Sequence, residues 1–180
     1  MCSFTRQCPP SSQLSLPAGD VLIHCGDWVR SSSSSGVPEY KDFLSWLCLQ
    51  PHSSKVLISG NKESCLDSEG AGRGRAGEVA AVAAMLETSP GLTYLRDSAY
   101  VCEKAGLRLK VWGSPWSLAN RARASAFQLP AAELSGKWES IPADTDILVT
   151  HSPALGRGDT TKAGKLAGCP ALAKAVDTIR

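Results

Sequence analysis

Four short apolar runs, each closed at once by a polar turn, constrain this chain more than any other feature. They cover residues 21–25, 55–59, 107–112 and 146–150, and each is rich in Val, Ile or Leu. Runs of that length suit buried strands. The first three end in Gly26-Asp27, Gly60-Asn61 and Gly113-Ser114-Pro115, the fourth in His151-Ser152-Pro153. Between the first two, residues 37–49 carry Phe43, Trp46 and Leu47 at helical spacing, with Pro38 and Glu39 suited to a first turn. The Ala-rich stretch 77–87 predicts a second helix. Strand, helix, strand, helix, strand and a further strand is the order of an α/β layered domain. Residues 30–36 and 64–76 read as loops, one a serine run and the other rich in Gly, Ser and Arg.

At 180 residues, 43% hydrophobic and 20% charged, the chain has the composition of one globular domain with a real core. A net charge of +2 gives no electrostatic reason for a nucleic-acid partner, and no apolar run approaches a bilayer span. None of the seven cysteines forms a CxxC pair, so a thiolate zinc site has no support. Their odd number and scattered spacing suggest reduced thiols and a cytoplasmic location.

In open α/β sheets functional side chains gather beyond the carboxyl ends of the strands. Those positions hold Asp27, Asn61 and His151, all oxygen or nitrogen ligands for a divalent metal. Asp27 and Asn61 share one local pattern, an apolar strand, one Gly and then the ligand, in which the Gly lets the backbone turn sharply. Taken singly, Asp27 reads as a cap of the following turn, Asn61 as a turn stabiliser and His151 as a satisfied buried histidine. Three candidate ligands at three strand ends favour a site.

The segments Gly19-Asp20-Val-Leu-Ile-His-Cys-Gly-Asp27, Val56-Leu-Ile-Ser-Gly-Asn61 and Ile147-Leu-Val-Thr-His151-Ser-Pro153 resemble successive motifs of the calcineurin-like metallophosphoesterases. Leu109-Lys-Val-Trp-Gly-Ser-Pro-Trp116 and Trp138-Glu-Ser-Ile-Pro142 resemble the small single-domain branch of that family. The resemblance implies a layered β-sandwich flanked by helices, here incomplete. It spans residues 16–180 as a partial phosphoesterase domain, with residues 1–15 expected to be disordered or misassigned. It also implies hydrolysis of a small phosphate mono- or diester at a pair of divalent ions (Mn, Fe, Zn or Mg). Asp27 would bridge the two metals, Asn61 would ligate one and help hold the phosphate as a catalytic residue, and His151 would ligate the same ion as Asn61.

The chain departs from that pattern at three places. The family's Asp-x-His on an earlier strand has no counterpart, since no Asp precedes Asp20 and no His precedes His24. The family's Asn-His reads Asn61-Lys62-Glu63, and no histidine follows His151 to supply Gly-His-x-His. The expectation is a chain truncated at both ends, prone to aggregate through exposed sheet edges, with three ligands too few for a preformed metal pair. Lys62 could contact a phosphate oxygen as a point charge. An impaired hydrolase follows, with a catalytically inactive phosphate- or partner-binding relic of the fold as the alternative.

The remaining candidates have plainer readings. His24 is expected to pack or to support a ligand, His52 to face solvent, and Trp112 and Trp116 to pack the sheet and its end loop. Gly72-Arg-Gly74-Arg-Ala-Gly77 matches a dinucleotide fingerprint, but about twelve residues separate it from the preceding strand, so it reads as a charged insertion.

Overall fold

Every residue of the second strand, Ser54–Ile58, is buried, because the strand is covered on both faces. It is the centre of a parallel sheet in a computed structural model that describes residues 15–30, 36–68, 76–104, 106–119 and 125–179. In chain order this first half comprises β1 (Val21–Cys25), α1 (Val37–Cys48), β2 (Ser54–Ile58), α2 (Ala76–Thr88) and β3 (Leu92–Tyr94). Val21 stands opposite Ser54 and Cys25 opposite Ile58, while β3 pairs with β2 on the other side. Parallel neighbours need a crossover, and α1 and α2 supply the two required.

The second half comprises β4 (Ser98–Lys104), β5 (Leu107–Ser114), β6 (Ser117–Leu118), β7 (Gln128–Leu129), α3 (Ala131–Glu139), β8 (Ile147–Thr150) and α4 (Pro170–Val176). Here β4 runs antiparallel to β5, β8 joins β5 in parallel with Val111 opposite Ile147, and β6 pairs with β7.

The period of two along a strand divides the core. Val56 and Ile58 of β2 meet Val111 of β5, Val149 of β8 and Leu95, and Val21 and Ile23 of β1 pack against them. This is the seam between the sheets. Leu22, Leu57 and Leu148 point the other way and join Tyr40, Leu44 and Leu47 of α1, Val82 and Leu86 of α2, and Leu134 and Trp138 of α3. The result is the expected layered sandwich flanked by helices.

The four expected strands form, with boundaries differing by one or two residues, and so do both helices. Four of the elements that the sequence did not reveal have physical reasons for being illegible. Lys104 and Glu103 of β4 break its apolar pattern, Gly136 weakens α3 as a helix signal, and β6 and β7 have two residues each. Expectations for residues 1–14, 31–35 and 69–75 (with Gly72 and Gly74) lie outside the described residues, whereas Ser64–Leu66 is a short 3-10 turn and Gly77 belongs to α2. No helix among the described residues is long and apolar enough to cross a membrane.

His52 corrects an expectation. It is 4% exposed rather than solvent-facing, with Nε2 3.0 Å from the Pro17 carbonyl. The segment before β1 folds across the start of β2, where the Ser54 amide donates to Asp20 O at 3.2 Å, and that tertiary contact covers the ring. Trp112 and Trp116 are buried as expected. Asp97 accepts from Ser114 Oγ (2.8 Å), Trp116 Nε1 (2.7 Å) and Lys137 Nζ (3.1 Å), which pins the loop at the end of β5.

Candidate metal centre

The carboxyl ends of β1, β2 and β8 converge at one edge of the sandwich, and the turns leaving them carry the candidate ligands. The chain leaves β1 through two residues in the left-handed region, Gly26 at φ 90° and Asp27 at φ 61°. For Asp27 that conformation costs of order 1 kcal/mol. It is held by Glu63, a wholly buried residue whose carboxylate accepts four backbone N–H groups. Oε2 takes those of Asp27 (3.0 Å) and Gly60 (2.5 Å), and Oε1 those of Trp28 (2.7 Å) and Val29 (3.0 Å). One side chain therefore ties the turn after β1 to the turn after β2.

The two turns touch so closely that only glycine fits. A Cβ on Gly60 would lie 2.5 Å from His151 Cε1 and 2.7 Å from both the amide nitrogen and Oδ1 of Asp27. Asp27, His151 and the turn that bears half-buried Asn61 are thus brought together. The Asn61 carbonyl accepts the Ala126 amide at 3.2 Å, which fixes its backbone.

His151 is oriented from behind. Its Nδ1 lies 2.9 Å from the Cys25 carbonyl, and a carbonyl can only accept, so Nδ1 carries the proton. Nε2 lies 3.5 Å from Asp27 Oδ1, an ion-pair contact when the imidazole is protonated. A divalent ion at about 2.1 Å from each ligand, with an angle near the tetrahedral value, separates its donors by about 3.4 Å, so the pair fits one ion. A histidine held by a carbonyl at its other nitrogen is the usual support for a metal ligand.

The other oxygen of Asp27 is differently engaged. Lys62 Nζ lies 3.4 Å from Asp27 Oδ2, and the Lys62 amide donates to Oδ1 at 3.3 Å. Among the described residues no group of three or more His, Cys, Asp or Glu is arranged to hold a metal. Asp27 and His151 are spaced as two ligands of one divalent ion would be, and the turn bearing Asn61 adjoins them; the described residues offer no ligand set for a pair.

His24 lies beneath the site, edge-on to Phe43 at 5.0 Å between ring centroids, with a buried Nδ1 that has no hydrogen-bond partner. Burial lowers its pKa to about 4, the nearby Asp27 charge opposing only in part. The folded pKa is depressed, so the histidine's contribution to stability is complete above about 6.5 and is lost as pH falls through 4. His24→Phe is expected to gain about 3 kcal/mol relative to wild type between pH 7 and pH 4.5, by the size of the shift, and paired urea melts of the two proteins at both pH values measure it.

Glu63 was not singled out by sequence reasoning. A Glu three residues after a Gly can reach back to its amide, as in a capping box, and that spacing was the available signal.

The fold and site define a class. The chain belongs to the calcineurin-like phosphoesterase family, whose family model matches residues 6–179. Among curated relatives, the metallophosphoesterase domain-containing protein 1 of Homo sapiens is 32% identical over 176 residues, covering 91% of this chain and 51% of that protein. A UPF0046 protein of Caenorhabditis elegans is 32% identical over 168 residues, covering 90% of this chain and 57% of its own length. A probable rhamnogalacturonate lyase C of Emericella nidulans is 36% identical over 162 residues, which is 89% of this chain but 14% of that protein. The chain spans about half the length of the metallophosphoesterase and UPF0046 relatives it matches. One solved crystal structure superposes with a TM-score of 0.54 at 10% identity, covering 79% of this chain and 53% of that one, and shares the fold.

Proposed function

We propose that the chain is a phosphoesterase-type hydrolase that acts on small phosphate mono- or diesters through one divalent ion, with slow turnover. The 3.5 Å spacing of Asp27 Oδ1 and His151 Nε2 carries this reading, since it is the separation of two donors that share one ion. Asp27 and His151 would hold the ion, and Asn61 would add its side-chain oxygen and orient the phosphate. An ion bound there supplies Lewis-acid polarisation of a phosphoryl oxygen and a water of lowered pKa. The protein's part is to fix Asp27 through Glu63 and to fix the imidazole through Cys25 O, so little reorganisation is left to the reaction.

Lys62 favours the second reading, a phosphate-binding relic without turnover, because it stands where the family carries a histidine near the leaving group and is paired with Asp27 instead. Hydrolysis of p-nitrophenyl phosphate and its bis ester with added manganese separates the two. The expected result is weak, manganese-dependent turnover that Asp27→Ala lowers by about 100-fold, at least the loss seen when metal-supporting groups are removed. Turnover indifferent to manganese or to Asp27→Ala rejects the hydrolase reading, and its complete absence favours the relic.

A further inference from the structure

We propose that the chain pairs with a second copy of itself along the side of the sandwich bounded by β1 and β8, each sheet running on into its counterpart across one two-fold axis. Four strands stand at sheet edges, since the strand orders are β1-β2-β3 and β4-β5-β8. Two of the four are blunted in the ways natural edges usually are. β3 has only three residues, and β4 ends in the exposed charges of Glu103 and Lys104. By contrast, β1 (Val-Leu-Ile-His-Cys) and β8 (Ile-Leu-Val-Thr) carry no Lys, Asp, Glu or Pro. Among the described residues each of these two strands pairs with a single neighbour.

The backbone directions show what the two edges offer. The Ser54 amide donates to Asp20 O at 3.2 Å, so alternate residues from Asp20 face β2, and Val21 and Ile23 turn their N–H and C=O groups away from it. In β8 the Asp146 amide donates to Lys110 O at 2.9 Å, which turns those of Ile147 and Val149 outward likewise. Cys25 is next in the outward set of β1, and its carbonyl lies 2.9 Å from Nδ1 of His151, just beyond β8. The two edges are therefore level at that end of the sandwich. Between them the seam is half open. Val21, Ile23 and Ile147 are only partly buried, although they pack on the buried Val56, Ile58 and Val149.

A second copy fits this side because one operation satisfies both edges. A two-fold axis normal to the sheets sets β1 antiparallel to β1 of the other copy and β8 antiparallel to its own counterpart, and antiparallel strands need no crossover. The half-open seams then meet and cover one another. Such a contact is isologous, so it closes at two chains instead of growing into a fibre. With no carboxylate or ammonium in either strand, the like-charge repulsion that keeps a strand from its own copy is missing.

Sedimentation equilibrium of the full chain over micromolar concentrations tests this, and the expected species has twice the 19.0 kDa mass of the chain. Val21→Pro removes an outward N–H at the first position of β1, where proline is tolerated, and Val21→Lys places a charge on the edge. Each should weaken association by about tenfold or more, since symmetry counts every change twice. Leu107→Lys, at an exposed leucine beside the β4 edge, should leave the dimer as it is. Thermal melts confirm that each variant is folded. Hydrogen exchange on the wild type needs no variant, and the Ile23 amide should exchange about tenfold more slowly where the dimer forms than in dilute solution. A monomer at every concentration, association that continues past two chains, or an Ile23 amide indifferent to concentration overturns the proposal. A dimer that the folded Val21 variants retain overturns it as well.

Discussion

Glu63→Ala is expected to remove most of the stability of this chain. The wild-type carboxylate is 0% exposed and accepts the amides of Asp27, Trp28, Val29 and Gly60. An orphaned buried donor costs about 1–3 kcal/mol, so four of them cost about 4 kcal/mol or more, before any term for the cavity. Against a typical domain stability of about 5–15 kcal/mol, that loss brings the protein close to its unfolding midpoint. Glu63→Gln keeps the shape but turns an amide NH2 toward two of the four donors, for a loss of about 2–4 kcal/mol. Urea unfolding followed by far-UV circular dichroism ranks the three proteins, and a midpoint unchanged in Glu63→Ala would refute the anchoring role.

The same residue sets a pH dependence opposite in sign to that of His24. Burial, and then the Asp27 charge, push the Glu63 carboxyl from 4.5 up to about 7, although the surrounding amides pull it down. Between those values the folded chain holds a proton that the unfolded chain has released. Its contribution is therefore fully present below about 4.5 and is lost as pH rises through 7. His24 gains stability over nearly the same range, with its pKa lowered from 6.5 to about 4. The two slopes oppose one another, so wild-type stability should change less than that of either variant between roughly pH 5 and pH 6.5. In Glu63→Gln the melting temperature should rise with pH over that window, and in His24→Phe it should fall.

Gly60→Ala should weaken the proposed manganese binding at a smaller cost in folding. The added carbon would press on His151 Cε1 at 2.5 Å and on Asp27 N and Oδ1 at 2.7 Å. Neither neighbour can yield freely, since Asp27 N is bonded to Glu63 and His151 Nδ1 faces Cys25 O. Overpacking of this kind costs about 1–3 kcal/mol, but it moves both candidate ligands, so manganese affinity should fall by about 100-fold. Gly77→Ala is the control. It lies in α2 with nothing within 4 Å of the new carbon, and should stabilise slightly and leave manganese binding unchanged. Equal manganese affinity in Gly60→Ala and wild type would mean that the ion, if bound, sits elsewhere.

Asp27, Asn61 and His151 could be read from the sequence because the information is local. An apolar run of strand length fixes where the chain must turn, and a polar residue at that turn is delivered to the sheet's carboxyl end whatever else the fold does. The order of runs and helices likewise implied parallel pairing with crossovers. Lys62 and Glu63 were visible only as charges, one beside the other in a polar turn. Nothing within three residues says that Glu63 is buried, or that its other partners lie 34–36 residues away at the end of a different strand. Nor does local sequence say that Lys62 reaches Asp27, or that residues before β1 cover His52. The sequence by itself determined which polar residues stand at the strand ends, because strand period and turn chemistry are short-range. Only the tertiary structure decided that a buried carboxylate clamps two of those turns together and that an ammonium occupies the second face of Asp27, because burial and charge pairing depend on residues far apart in the chain.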